Sequence, residues 1–181
     1  DPAFALGYAG LADCYAVISQ YIDMPAREWY PKATGAALKA LAIDDSLAEA
    51  HAALGHVKIA HDMDCAGAER EYRRALELNP GYATAHHWYA MFLSGLGRHD
   101  EALAHIKRAQ ELDLLSLIIN ANAGFILYNS RRYEEAIEQL HKALAMDPNF
   151  PEVREYLGFI YLQRSMYREA VAELQTALKL S

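Results

Sequence analysis

LIINANAGFILYNSRRYEEAIEQLHKALAMDPNF, residues 117–150, decides the architecture of this chain. Its first half is apolar but for Asn120 and Asn122 as far as Tyr128 and breaks at the polar run Asn129-Ser130-Arg131-Arg132. Its second half resumes at Tyr133 and stops at Asp147-Pro148, where proline lacks the donor for the next helical hydrogen bond. The pattern predicts two helices, roughly Ser116 to Asn129 and Tyr133 to Met146. Small residues sit where helices cross: Gly124 and Ala136 let the pair approach closely, and Ala143 makes room for the first helix of the next unit. Leu127, Ile137, Leu140 and Leu144 fill the space between.

The same residues return along the chain at a spacing of 34. Ala90, Gly124 and Gly158 form one series, Ala102, Ala136 and Ala170 a second, and Ala109, Ala143 and Ala177 a third. A period of that length marks a stack of two-helix units, an architecture that usually works as a binding surface. Extended outward, it gives units at about 5–47, 48–82, 83–116, 117–150 and 151–181. The last carries Leu157-Gly158, Tyr161, Ala170, Leu174 and Ala177; the third carries Tyr89-Ala90, Leu93, Ala102, Ile106 and Ala109, with Leu114 where proline stands elsewhere. The second shows Leu54-Gly55, Ala68, Tyr72, Ala75 and Asn79-Pro80, with one extra residue near His61-Asp62. The first shows Leu11-Ala12, Tyr15, Ala33, Ala37, Ala40 and Asp44-Asp45, with nine extra residues between its helices. Acidic residues open the second helices (Asp100-Glu101, Glu134-Glu135, Glu169) and basic ones fall late in them (Lys107-Arg108, Lys142, Lys179), the order that complements the helix dipole.

These residues form the tetratricopeptide repeat (TPR) pattern, and the chain resembles that family over essentially its full length. The resemblance implies an all-α fold: a right-handed superhelical solenoid of antiparallel helix pairs, five units and about ten helices in a single domain, 1–181. The runs Tyr8-Ala9-Gly10-Leu11-Ala12-Asp13, Leu47-Ala48-Glu49-Ala50-His51, Tyr82 to Tyr89 and Ser116 to Asn120 look like the TPR segments of large bacterial multidomain regulators. In such proteins the repeats follow an effector module, such as a winged-helix DNA-binding domain, a nucleotide cyclase or a serine/threonine kinase, and serve as a sensing or docking arm. Asp1-Pro2 reads like the Asp-Pro that closes a repeat, and Leu180-Ser181 comes before a polar capping helix, so the chain is expected to be part of a longer protein. The outer face of the last helix, with Val171, Leu174, Leu178 and Leu180, is expected to be partly uncovered and to support a homodimer.

Composition narrows the function. Seventeen basic against 24 acidic residues give a net charge of −7, which opposes the phosphate neutralisation that nucleic-acid binding needs. No apolar run approaches the roughly 18 residues of a membrane span, and the first residues are not a signal peptide. Two cysteines, Cys14 and Cys65, are too few for a disulfide framework, which favours a cytoplasmic setting. Neither a His-Glu-x-x-His pattern nor a phosphate-binding Gly-Lys-Ser/Thr loop occurs, and no Ser, His and Asp set stands out, so no catalytic residue, metal ligand or cofactor site is nominated and the protein reads as a non-enzyme.

In the TPR family the first helices line the concave face. Carried over residue by residue, the candidate groove contacts are Asp13, Glu49, His56, His87, Met91, Phe125, Tyr128, Asn129, Glu155, Phe159 and Leu162. Such a groove is apolar at its centre and acidic toward both ends, matching an apolar protein or peptide segment with some basic charge. Met91, Phe125 and Phe159 equally fit packing between neighbouring first helices, and Trp88 reads as core. The insertion Ser19 to Glu28 is either a lip over the groove or a shield for the first unit. His51, His56 and His61 recur every five residues, a step of about 140° beyond a full helical turn, so they do not converge on one metal ion. A His56–His87 site for a metal or small molecule is the alternative to peptide recognition, and self-assembly is a further one.

Overall fold

In the computed structural model, which describes residues 4–18 and 26–180, the chain is all-α. The described residues form ten helices: α1 (Ala5–Val17), α2 (Ala26–Ile43), α3 (Ala48–Ala60), α4 (Cys65–Leu78), α5 (Ala83–Gly95), α6 (His99–Leu112), α7 (Leu117–Asn129), α8 (Tyr133–Met146), α9 (Pro151–Gln163) and α10 (Tyr167–Leu180). They follow the five predicted pairs, with α8 at the predicted bounds and α7 starting one residue late because Ser116 is its cap, its Oγ accepting from Ile119 N at 3.5 Å. Most of the proposed insertion, 19–25, lies outside the described residues. The chain divides into two compact units, Asp1–Tyr89 and Ala90–Ser181, each described here by itself.

The turns inside the second to fifth pairs share a feature that the sequence does not single out. Gly97, Arg131 and Ser165, spaced by 34, all have positive φ, at 76°, 60° and 59°. Each ends its first helix in the same way: Arg98 N donates to Leu93 O, Arg132 N to Leu127 O and Met166 N to Tyr161 O, all at 2.9 Å. This is the six-to-one closure that a left-handed residue permits. The extra residue near His61-Asp62 moves the left-handed position to Met63 (φ 56°), and there Asp64 N donates to Lys58 O at 2.9 Å. Between pairs, the Asp44, Asn79 and Asp147 side chains each accept a hydrogen bond from the backbone N–H two residues on, at 2.9, 3.0 and 2.9 Å, reversing the chain locally.

The small residues lie at the helix crossings, as expected. Ala136 and Ala143 are fully buried in one cluster with Ala121, Leu140, Val153, Leu157 and Ile160, and Leu127, Ile137 and Leu144 pack against it half-buried. A Cβ on Gly124 meets Leu140 Cδ2 at 2.5 Å, and one on Gly158 meets Leu174 Cγ at 2.6 Å. The glycines therefore admit a leucine from the paired helix, a side-chain fit rather than a contact of bare backbones. In the first unit a Cβ on Gly55 meets the Tyr72 ring at 3.0 Å, the same joint with an aromatic in place of leucine. Asp100, Glu101, Glu134, Glu135 and Glu169 all stand in first turns, whereas of the late basic residues only Lys179 falls in a last turn. The acidic half of the dipole pattern is thus more regular than the basic half.

Candidate functional site

In the first unit, α1, α3 and α5 bring a polar group together. Tyr82, at the entry to α5, donates its hydroxyl to Asp13 Oδ2 at 2.9 Å, while Asp13 Oδ1 is buried and has no hydrogen bond among the described residues. Burial, with Glu49 nearby, pushes the Asp13 carboxyl up to about 7, and the Tyr82 bond acts against that rise. In the same unit the His56 ring packs on Trp88, with centroids 4.9 Å apart. Burial lowers His56 to about 4; burial and the neighbouring His56 lower His87 to about 4. Both imidazoles are therefore neutral at neutral pH. Trp88 packs on the clusters containing Ala52, Ala85 and Val57, in keeping with its reading as core.

In the second unit the face is aromatic and then acidic. Phe125 of α7 stacks on Tyr156 of α9 at 4.7 Å and lies 6.0 Å from Tyr128, which in turn lies 6.1 Å from Tyr133. Tyr156 donates its hydroxyl to Asn122 Oδ1 at 3.1 Å, and burial, then Glu152 and Glu155, push its phenol up to about 12. Asn129 Nδ2 donates to Ser94 Oγ at 3.1 Å, so this candidate contact is tied into the scaffold. Met91, Phe125 and Tyr128 are half-buried; Glu155 is exposed, and Phe159 and Leu162 are 39% and 42% exposed. The candidates thus separate: those of α7 pack on their neighbours, and those of α9 face solvent.

Sequence reading did not list Tyr82, Asn122 and Tyr156 among the site residues. Asn122 and Tyr156 occupy the same place in adjacent repeats, 34 apart, and that equivalence was the available signal. Tyr82 had none, because it reads as an interrepeat loop residue. For a metal, the described residues contain no group of three or more His, Cys, Asp or Glu side chains placed to hold one. No helix among the described residues is long and apolar enough to cross a membrane.

Repeated helical hairpins with an exposed face on the first helix of a pair define a class of noncovalent binding scaffold. The comparisons with known proteins agree: residues 71–104 match the family model described as tetratricopeptide repeat, and residues 124–165 match the one described as TPR repeat. The chain carries tetratricopeptide repeats. It is similar in structure to pilF of Pseudomonas aeruginosa, with 26% identity over 97% of this chain and 78% of that one and a TM-score of 0.74. It is also similar to YrrB, a TPR protein with an unusual peptide-binding site (21% identity, 100% and 88% covered, TM-score 0.65). MamA is similar as well (20% identity, 88% and 95% covered, TM-score 0.67). No curated protein matches this chain in sequence.

Proposed function

We propose that this chain is a noncovalent protein- or peptide-binding module, its five repeats acting as one recognition domain in the cytoplasmic interaction arm of a bacterial multidomain regulator. The observation that carries the binding reading is the face of α9, where the apolar Phe159 and Leu162 stay exposed beside Glu155. Solvent-facing apolar side chains clustered next to charge are what a recognition surface offers a partner. The peptide-binding site of the structurally similar YrrB supports the reading. The module performs no reaction of its own.

The test is selection of a random peptide library on the protein, followed by direct binding of the enriched peptides to the wild type and to the Phe125→Ala, Phe159→Ala double variant. At least tenfold weaker binding by the variant, with helicity unchanged, is expected. Equal binding removes this face from the proposal. The regulator assignment rests on the likeness of short runs, Tyr8–Asp13 and Tyr82–Tyr89 among them, to regulator repeats; the coding sequence of the full-length protein tests it, and a parent protein with no signalling or DNA-binding effector module overturns it.

A second reading, self-assembly, is favoured by one observation. Tyr167, Val171 and Leu178 on α10 are 63%, 51% and 77% exposed, and apolar area of that kind invites a second copy of the chain.

A further inference from the structure

We propose that a cleft in the first unit, between α2, α3 and α4, binds a free α-amino acid with an apolar side chain. The cleft is separate from the face that carries the peptide-binding reading, so either proposal can fail alone.

The cleft has a volume of about 160 Å³. Its apolar lining is Leu38 of α2 with Leu54 and Val57 of α3, the last two buried. Its polar lining is Thr34 of α2, Lys58 of α3, Asp62 of the turn that follows and Glu71 of α4. Leu54, Val57 and Lys58 stand on the side of α3 away from Glu49 and His56, so the cleft lies among second helices and not on the candidate groove.

The space exists because a joint that is filled elsewhere in the chain is not filled here. Between α8 and α9 the equivalent joint is packed by Ile137 and Leu140, one and four residues after Ala136, and by Tyr161, three after Gly158. At the same offsets from Ala33 and Gly55 stand Thr34, Ala37 and Lys58. Two smaller side chains thus replace Ile137 and Leu140, and a charged one replaces the ring; in the third and fourth repeats that last place holds Leu93 and Leu127. The extra residue in the turn after α3 adds an acid, Asp62, to the lining. A joint that gives up the packing its own repeats supply points to a use for the space.

The polar lining is mixed in sign. Lys58 Nζ lies 3.6 Å from Asp64 Oδ2, too far for a hydrogen bond, so the ammonium can turn to a ligand carboxylate. Glu71 Oε2 pairs with His51 Nδ1 at 2.8 Å, and Asp62 Oδ1 with His61 Nδ1 at 2.8 Å, the His61 ring standing edge-on to Tyr30 of α2. Each histidine fixes one carboxylate oxygen and leaves the other for a ligand ammonium. A zwitterion answers both signs at once, whereas a simple amine or acid answers one. A cavity of about 150 Å³ takes a molecule the size of benzene, so the apolar lining suits one aliphatic or aromatic side chain and excludes a peptide.

The experiment is a ligand-observed NMR titration of the intact chain with L-valine, L-leucine and L-phenylalanine, each alone. At least one is expected to bind saturably, with a Kd of about 1 mM or tighter. For that amino acid, the amine lacking the carboxyl group and the acid lacking the amino group are each expected to bind about tenfold more weakly. The Thr34→Ile, Lys58→Leu variant, which fills the cleft as later repeats are filled, should lose binding with helicity unchanged. If it loses helicity, Lys58→Gln takes its place and should weaken the amino acid about tenfold while leaving the amine unchanged. The inference is overturned if none of the three amino acids binds saturably, if the amine or the acid binds as well as the amino acid, or if the variant binds as the wild type does.

Discussion

The Tyr82 hydroxyl donates to Asp13 Oδ2 at 2.9 Å and joins α5 to α1 across 69 residues of chain. The bond answers one oxygen of a buried carboxyl and leaves the other, Oδ1, without a donor among the described residues. Holding a charge there is costly, which is why the Asp13 carboxyl titrates near neutrality, at about 7.

A stability change with pH follows from that shift. The folded value, about 7, lies above the ordinary 3.8, so the folded chain holds a proton that the unfolded chain has released. The stabilisation is complete below about 3.8 and is lost as pH rises through about 7. Asp13→Asn should remove this downward slope, and Tyr82→Phe should move it to higher pH. Urea unfolding across pH 4 to 8 measures both; an unaltered slope in Asp13→Asn would refute the account.

His56 and His87 act in the opposite direction. Their folded values, about 4, lie below the ordinary 6.5, so their contribution is present above about 6.5 and is lost as pH falls through about 4. Two imidazoles outweigh one carboxyl where the ranges overlap. Of these three groups, the net effect is stability that rises from pH 4 to about 6.5 and declines slightly toward 7. A His56→Gln, His87→Gln variant should lose the rising limb in the same urea series, and its persistence would show that other groups carry it.

Two glycines in helices should respond to alanine with opposite signs. At Gly124 the added methyl meets Leu140 at 2.5 Å in a fully buried cluster, and overpacking of that kind costs about 1 to 3 kcal/mol. At Gly10 in α1 an added Cβ meets nothing within 4 Å, and the gain in helix propensity is about 0.5 to 1 kcal/mol. Thermal unfolding of both variants checks the pair. Leu140→Ala in the Gly124→Ala background should show strong coupling, since the two changes act on one contact.

Arg131 is a third backbone test. Its φ of 60° is left-handed, a conformation that costs a side-chain-bearing residue roughly 1 to 2 kcal/mol, while glycine loses part of that advantage through its greater freedom when unfolded. Arg131→Gly is expected to raise stability by up to about 1 kcal/mol, and a lower denaturation midpoint would contradict the turn geometry.

For self-assembly, Leu178 is the residue to change, being 77% exposed on α10. If copies associate through this face, sedimentation of the wild type shows a dimer that grows with concentration, and Leu178→Glu is monomeric with the same helicity. A monomer at every concentration removes the second reading.

Most of the fold was legible because the features that carry it are local and repeated. The helix breaks at residues 129–132 and at Asp147-Pro148 follow from residues within one or two positions of the break, and the alanine and glycine series announces the crossings before any contact is known. The left-handed turn residue stayed hidden because glycine marks it only at Gly97; Arg131 and Ser165 adopt the same φ under the pull of the closing hydrogen bonds. The candidate faces were half legible. Helical spacing put Glu155, Phe159 and Leu162 on one side of α9, but nothing in the spacing distinguishes them from Phe125 and Tyr128, which pack against aromatic neighbours.

From the sequence alone come the repeat, the helix pairs, the joints between them and the acidic balance of the chain. Each depends on residue size, backbone preference or charge, properties that a residue carries into any setting. Only the tertiary structure decided which polar groups leave water. The state of Asp13 depends on its burial, opposed by a hydrogen bond from a tyrosine 69 residues away, and those of His56 and His87 on how deeply they are covered, because desolvation is a property of surroundings and not of a residue type.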